Sequence, residues 1–297
     1  MILNVSGRTD IVAFYSEWFL NRIKEGFVDV VNPFNPKLIS RIDFKDVDLL
    51  FFCTKNPQPI LDKLDEIPIQ KYFHVTLTPY KKEIEKNVPD KKEIIASIKE
   101  LSKKVGKDHV VVRYDPVFIS DTYTLEYHKK AFEKLCTLLE NDISKILISF
   151  LDEYQNVRRN YSILKYKRMS ESDYQELGTS FAQSAKKHHL TVHTCFEEKT
   201  LEEYGFTKGE CLSKELASKL TKKEYKKEWK ARKGGKCHCV SMVDIGTYNT
   251  CPHLCAYCYA NYDEKSVSKN RLLHDKNSSL LIGHIQEDQV IKARKSD

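Results

Sequence analysis

Continuous apolar runs that alternate with amphipathic segments are the feature that most constrains the fold of this chain. Runs rich in β-branched and aromatic residues stand at 2–6, 49–54, 72–78, 109–114, 145–150 and 190–195. Such runs are typical of parallel strands that are buried on both faces. Between them, 91–105 and 124–140 repeat apolar residues at helical spacing, and Ser170 with Asp173 three residues later predicts another helix start.

Repeated strand–helix units of this kind predict an α/β fold with a parallel sheet, either a barrel or a doubly wound sheet. The barrel is favoured because polar residues follow the predicted strands, where barrel enzymes build their sites. These residues are Arg8, Asp10, Thr54, Lys55, Asn56, Thr76, Thr78, Arg113, Asp115 and Asp152. The alternative is that they are polar only because strand ends meet water. We therefore expect a partial or complete (β/α) barrel of about six or more parallel strands over residues 1–200.

Residues 201–297 differ in composition from the predicted barrel. They are predicted to form a cysteine-rich segment that packs on the barrel mouth within one integrated domain. The stretch 221–236 is strongly basic and ends in Gly234-Gly235. It predicts an exposed helix that runs into a flexible turn, with nucleic-acid contact as the alternative.

The cellular setting follows from what the sequence lacks. Its 297 residues contain no apolar run near the roughly 20 that span a bilayer, and the start "MILNVSGRTD" does not resemble an export signal. A cytoplasmic protein without membrane contact is expected. In a reducing cytoplasm, nine cysteines favour metal binding or redox chemistry over disulfides. The net charge of +7 is compatible with nucleic acid or anionic substrates and demands neither.

Three cysteines, Cys251, Cys255 and Cys258, lie within eight residues in "TYNTCPHLCAYCYAN". Structural zinc sites usually present paired C-x2-C knuckles that supply four ligands together. Three thiolates at C-x3-C-x2-C spacing, with Tyr257 before the last, instead suit a [4Fe–4S] cluster that keeps one iron open.

The remaining cysteines divide into two kinds. Cys53, in a predicted strand, and Cys136, on the apolar face of a predicted helix, are expected to pack in the core. The other four, which would give a second and fully ligated cluster, are Cys195, Cys211, Cys237 and Cys239. A structural zinc on the same four residues and the absence of any metal there are the alternatives.

The C-x3-C-x2-C motif with Tyr257 resembles the cluster motif of the radical S-adenosylmethionine superfamily, and the stretch around it resembles the branch that includes spore photoproduct lyase. A resemblance over nearly the whole chain is to an uncharacterised bacterial family that carries this motif at its C-terminus. The stretches that carry it are "SGRTDIVAFYSEWF", "NPFNPK", "TKNPQP", "TLTPY", "RYDPVF", "ISFLD", "VDIGTYNTC" and "CYAN".

The superfamily resemblance implies that the three motif cysteines hold the cluster and that S-adenosylmethionine chelates its fourth iron. Reductive cleavage would then give methionine and a 5′-deoxyadenosyl radical, with electrons from a donor such as a flavodoxin or ferredoxin. It also implies a partial or full βα barrel. The motif here follows the last recognisable strand rather than the first, and no Gly-Gly-Glu-type segment is evident. The cofactor contacts are therefore expected among Arg8, Asp10, Thr78, Arg113 and Asp115, since arginine and aspartate pair with carboxylate and amino groups.

A binding protein without catalysis is the alternative function. In it the cysteines hold zinc or an iron–sulfur cluster, and the basic stretch 221–236 contacts nucleic acid with a salt-dependent affinity. An iron–sulfur enzyme that acts on nucleic acid would combine the two. Nothing in the sequence identifies the substrate.

Overall fold

The computed structural model describes residues 1–195, 197, 199, 201–227 and 238–295. The β-strands, numbered in chain order, are β1 (Ile2–Val5), β2 (Phe27–Asn32), β3 (Asn35–Asp43), β4 (Leu49–Thr54), β5 (Gln70–Thr76), β6 (Val110–Val117), β7 (Lys145–Phe150), β8 (Thr191–Thr194), β9 (Thr207–Lys208), β10 (Val243–Asp244) and β11 (Val290–Ala293). The α-helices are α1 (Ile11–Phe14), α2 (Ser16–Glu25), α3 (Lys91–Val105), α4 (Leu125–Leu139), α5 (Gln155–Arg159), α6 (Tyr161–Leu164), α7 (Glu171–Lys187), α8 (Lys214–Thr221) and α9 (Glu264–Leu272). Short 3-10 helices occupy Phe44–Asp46, Gln58–Glu66, Lys107–His109 and Glu202–Tyr204.

The chain divides into two compact units. Unit 1 comprises Met1–Tyr72, Met242–Pro252 and Ala260–Asp297, and unit 2 comprises Phe73–Ser241 and His253–Tyr259. The dividing point near residue 72 lies inside β5. The domain boundary predicted near residue 200 lies within unit 2, between β8 and β9.

Unit 1 contains two sets of strands. Strand β1 lies between β10 and β4 and is parallel to both, with Leu3 opposite Val243 on one side and Leu50 on the other. The second set joins β2 and β3 as an antiparallel hairpin and adds β11 parallel to β3. The indole Nε1–H of the buried Trp18, on α2, donates to the carbonyl oxygen of Ser278 at 2.9 Å, which fixes the C-terminal part of the unit to this helix.

Unit 2 is built on the parallel strands β5, β6, β7, β8 and β9, which are neighbours in that order. Helices α4 and α7 pack on one face of these strands. Phe132 of α4 stacks on Phe181 of α7 with a centroid distance of 4.2 Å, and the ring of Tyr114 on β6 meets both edge-on. Helix α7 starts with the capping box predicted at Ser170 and Asp173.

These pairings confirm the predicted α/β class and its parallel strands. Strands β4 and β7 and helix α3 have the predicted bounds. The helix predicted over 221–236 is wrong for its described part, because α8 ends at Thr221 and Lys222 takes a left-handed conformation with φ 58°. The rest of that stretch lies outside the described residues. Each helix within the described ranges is too short or too polar to span a lipid bilayer.

A buried histidine in unit 2 should make stability depend on pH. His128 on α4 is fully buried, its Nδ1 lies 2.9 Å from the hydroxyl of Tyr114, and its Nε2 lies 2.9 Å from the carbonyl oxygen of Phe118. The carbonyl can only accept, so Nε2 carries the proton and the Tyr114 hydroxyl donates to Nδ1. Burial lowers the pKa of His128 to about 4, which means that the folded state favours the neutral ring.

Because an unfolded histidine titrates near 6.5, this contribution to stability is present above about pH 6.5 and is lost as the pH falls towards 4. The loss amounts to about 3 kcal/mol. We expect the free energy of unfolding, measured with denaturant at pH 7.5 and pH 5, to fall less in His128→Gln than in the wild type. Equal losses in the two proteins would contradict the assignment.

Candidate metal centre and motif loop

One face of the unit 2 sheet carries polar side chains at the carboxyl ends of neighbouring strands. Arg113 of β6 is in register with Leu147 of β7, which is in register with His193 of β8. Side chains alternate between the faces of a sheet, so Asp115 and Cys195, each two residues further along, continue on this same face. The parallel strands end at one edge, and these polar side chains therefore meet there.

Three cysteine thiols form a compact group at this edge. The Sγ atoms of Cys195, Cys211 and Cys239 all lie within 4.8 Å of one another, and the Cys195–Cys211 pair is 3.2 Å apart. The backbone N–H of Cys211 donates to the Sγ of Cys239 at 3.3 Å. Cys195 is 7% exposed and Cys239 is 3% exposed. This group is called the cysteine triad below.

Separate segments deliver the triad, and backbone hydrogen bonds hold them together. The first cysteine follows β8 directly. The N–H of Gly209 donates to the carbonyl of Thr194 at 3.0 Å, and the N–H of Val240 donates to the carbonyl of Leu212 at 2.9 Å. A Cβ on Gly209 would lie 2.8 Å from Nδ1 of His193, so only glycine lets this loop approach β8 so closely.

A guanidinium group lies against the triad. Nη1 of Arg113 donates to the Sγ of Cys211 at 3.1 Å, while its Nε and Nη2 donate to Oδ2 of Asp115 at 2.9 and 2.6 Å. Hydrogen bonds with Cys195 and Cys239, helped by the charge of Arg113, hold the pKa of the Cys211 thiol well below its usual range although burial opposes them. The same hydrogen bond raises the pKa of the Cys195 thiol, so the environment favours a thiolate at Cys211, which is the form that binds metals, and a thiol at Cys195.

A half-buried carboxyl group that the sequence did not predict lies near this edge. Oε1 of Glu197 accepts a hydrogen bond from the backbone N–H of Phe150 at 2.9 Å. Burial, reinforced by the negative charges of Asp115 and Asp152, raises the pKa of Glu197 to about 8. The group is therefore largely protonated at neutral pH and can donate a hydrogen bond or a proton.

The sequence grouped the triad with a fourth cysteine, Cys237. The structure brings Cys195, Cys211 and Cys239 together, and Cys237 lies outside the described residues. The prediction came from a count of the thiols left over after the motif and the core had been assigned. It carried no information on their spacing in three dimensions.

The motif cysteines lie on a loop over residues 250–259, called the motif loop below, in which Cys251 belongs to unit 1 and Cys255 and Cys258 belong to unit 2. In unit 1, the side-chain amide of Asn261 donates to the carbonyl of Cys251 at 2.7 Å. The hydroxyl of Tyr15 donates to the carbonyl of Thr250 at 2.6 Å. These two hydrogen bonds therefore fix the backbone of Thr250 and Cys251 within unit 1.

In unit 2, the backbone of the motif loop pairs with residues 84–87. Cys255 forms an antiparallel bridge with Glu85, and the N–H of Ala256 donates to the carbonyl of Ile84 at 2.8 Å. Side-chain amides supply further support, since Asn160 donates to the carbonyl of Ala256 at 2.7 Å and Asn156 donates to that of Cys258. Hydrogen bonds within the protein therefore fix the path of the loop in unit 2.

Glu85 is the centre of this support. Glu85 is 1% exposed, and its carboxylate accepts hydrogen bonds from the hydroxyls of Thr78 (2.7 Å) and Tyr257. It also forms an ion pair with Lys91. Burial raises the pKa of Tyr257 well above its usual value, so this hydroxyl stays protonated and donates to the carboxylate. The ring of Tyr257 also packs against Tyr80 with a centroid distance of 5.7 Å.

Two of the predicted cofactor contacts lie in unit 1 and have protein partners there. Asp10 caps α1, because its carboxylate accepts from the backbone N–H groups of Ala13 at 2.9 Å and Lys55 at 2.7 Å. The guanidinium of Arg8 lies 4.0 Å from Asp244 and 5.4 Å from the ring centroid of Tyr248. Both side chains thus help to build unit 1.

Asp244 itself was missed in the sequence. Its buried carboxylate accepts from the hydroxyl of Ser6 at 2.8 Å and from the N–H groups of Gly7 at 2.7 Å and Gly246 at 2.8 Å. Burial raises its pKa, although the hydrogen bonds and Arg8 oppose the shift. This carboxylate ties the end of β1 to the end of β10.

The other three predicted contacts lie in unit 2 and divide between its two features. Arg113 and Asp115 pair with each other beside the triad, whereas Thr78 donates to Glu85 under the motif loop. The sequence did not single out His74, whose Nδ1 lies 3.5 Å from Nη1 of Arg113. Burial lowers the pKa of His74 to about 3.

A family model described as "Domain of unknown function (DUF1848)" matches residues 2–260. The chain belongs to the DUF1848 family. The matched region of this DUF1848 protein includes the motif cysteines, the triad and Cys237, and it ends two residues after Cys258. No curated protein matches the chain.

Proposed function

We propose that this DUF1848 protein is an iron–sulfur enzyme of the radical S-adenosylmethionine type. The observation that carries the proposal is the set of three motif thiols, Cys251, Cys255 and Cys258, on one loop whose backbone is hydrogen-bonded to the rest of the protein. When a ligand binds to a loop that is already ordered, little of the binding free energy is lost to ordering the chain.

The donor set fits an iron–sulfur cluster. Soft thiolates are the normal ligands of such clusters, and three of them leave one iron without a protein ligand. Cys251 and Cys258 are half-buried and Cys255 is 9% exposed, so each of the three residues is partly shielded from solvent. These three residues would hold the cluster.

A bound cluster with S-adenosylmethionine on its open iron would supply reductive cleavage to methionine and a 5′-deoxyadenosyl radical that removes hydrogen from a substrate. The residues of the chain orient and shield this chemistry. Tyr257 is 8% exposed and donates to Glu85, so this pair fixes the ring next to Cys258 and shields that part of the loop from water. Asn156 and Asn160 bind loop carbonyls and keep the thiol-bearing backbone in place.

The contacts to S-adenosylmethionine are proposed among the residues expected from the sequence. In unit 2 these are Thr78, Arg113 and Asp115, of which the last two present a charged pair at the carboxyl edge of the sheet. Arg8 and Asp10 of unit 1 stay predictions. The superfamily scaffold, a partial or complete (β/α) barrel, is part of the same proposal, as are a cytoplasmic setting and a flavodoxin- or ferredoxin-like electron donor.

The proposal is tested by anaerobic purification and reconstitution of the full chain. We expect a brown protein with about four irons and as much sulfide per chain. With a strong reductant it should convert S-adenosylmethionine to 5′-deoxyadenosine and methionine, quantified by chromatography. A colourless protein that holds only zinc and binds nucleic acid with a salt-dependent affinity would contradict the proposal and favour the non-catalytic alternative.

A further inference from the structure

We infer that the cysteine triad binds a single divalent, thiophilic metal ion, for which zinc is the best match, rather than a second iron–sulfur cluster. The inference concerns Cys195, Cys211 and Cys239 within unit 2. It does not depend on the proposed radical chemistry at the motif loop.

The spacing of the sulfur atoms carries the inference. Four thiolates around one zinc ion at about 2.3 Å lie about 3.8 Å from one another, because the ion sits at the centre of a tetrahedron. The triad sulfurs all lie within 4.8 Å of one another, with one pair at 3.2 Å. In a [4Fe–4S] cluster each thiolate binds a different iron, so the core of the cluster holds the thiolates further apart than one shared ion does. The triad is therefore already near the spacing of a single-ion site.

The charge around the triad suits a metal–thiolate site. Three thiolates on a divalent ion carry a net negative charge, and the N–H donor of Arg113 lies 3.1 Å from the Sγ of Cys211. Asp115 holds this guanidinium in place through two hydrogen bonds to one oxygen. Outer hydrogen bonds of this kind orient metal ligands and tune the metal.

A metal ion at the triad would link three segments of the chain and so stabilise unit 2. It joins the end of β8, the loop before α8 and the segment at Cys239, which are far apart in sequence. Binding replaces the thiol protons, which leave to solvent, and its free energy adds to that of folding. Three thiolates leave one position of the tetrahedron for a further ligand.

Cobalt(II) substitution tests the inference in the full chain. A variant that combines Cys251→Ala, Cys255→Ala and Cys258→Ala removes the motif thiols, so that added cobalt reports on the triad. We expect one cobalt per chain, with the intense visible bands of tetrahedral geometry and near-ultraviolet thiolate-to-cobalt bands, both abolished by one equivalent of zinc. A further Cys239→Ser change should remove the site, whereas Cys53→Ser, at a half-buried cysteine of unit 1, should not.

X-ray absorption at the zinc edge of the wild-type protein needs no variant. It should show about three or four sulfur neighbours near 2.3 Å. Weak octahedral cobalt bands, absence of cobalt binding by a folded variant, or iron and sulfide retained in the triple variant would each overturn the inference. These outcomes are separable from failure of the proposed function, which is measured by S-adenosylmethionine cleavage in the wild type.

Discussion

Replacing Cys255 by alanine is expected to lower the iron content of the reconstituted protein by about four atoms per chain and to reduce S-adenosylmethionine cleavage to background. Cys255 is the middle ligand of the proposed cluster, and its backbone is bridged to Glu85. Two remaining thiolates cannot hold the cluster in a form that binds the cofactor. Iron and sulfide analysis and chromatography of 5′-deoxyadenosine measure the effect.

Cys53→Ser is the matched control for this variant. Cys53 is half-buried in β4, and its thiol lies 3.8 Å from Oδ1 of Asn4. We expect this variant to keep the iron and the cleavage rate of the wild type. If Cys255→Ala kept both as well, the motif would not be the cluster site.

Replacing Glu85 by alanine should destabilise unit 2 by about 3–5 kcal/mol, because the groups that bind this buried charge would be left without a partner. The hydroxyls of Thr78 and Tyr257 would lose their acceptor, and Lys91 would lose its ion-pair partner. The motif loop, which pairs with this segment, should lose its fixed path. Denaturant unfolding followed by circular dichroism measures the stability, and iron retention after gel filtration reports on the loop.

Two variants control for the position and the charge of Glu85. Glu93→Ala, on the exposed first turn of α3, should cost less than about 0.5 kcal/mol. Glu85→Gln keeps an oxygen acceptor for the hydroxyls, so its effect should be smaller than that of Glu85→Ala. A Glu85→Ala protein as stable as the Glu93→Ala protein would show that this carboxylate does not support the loop.

The fold was predictable where one period dominates the sequence. The unbroken apolar runs of β4 and β7 and the helical repeat of α3 gave correct bounds, because burial on both faces or on one stripe leaves a local pattern. The β2–β3 hairpin was missed, since β3 starts with Asn35-Pro36 and has charged residues on a partly exposed strand. Strands β9 and β10, of two residues each, leave no pattern at all.

Only those properties of the site that depend on residue type, spacing and number could be predicted from the sequence. The motif spacing indicates a cluster directly, and the remaining thiols could be grouped by elimination. The sulfur spacing in the triad depends on how β8 and two later segments meet, which is a tertiary property. Glu85, Glu197 and Asp244 were missed for the same reason, because the sequence does not distinguish a carboxyl group that is hydrogen-bonded within the protein from a solvated one.

Low-temperature EPR of the anaerobically reconstituted, reduced wild-type protein, with and without S-adenosylmethionine, tests the central claim most directly. An open iron at the motif predicts the signal of a reduced [4Fe–4S] cluster whose g values change when S-adenosylmethionine is added, with neither signal nor change in Cys255→Ala. A protein without such a signal, or a cluster signal that S-adenosylmethionine leaves unchanged, would contradict it.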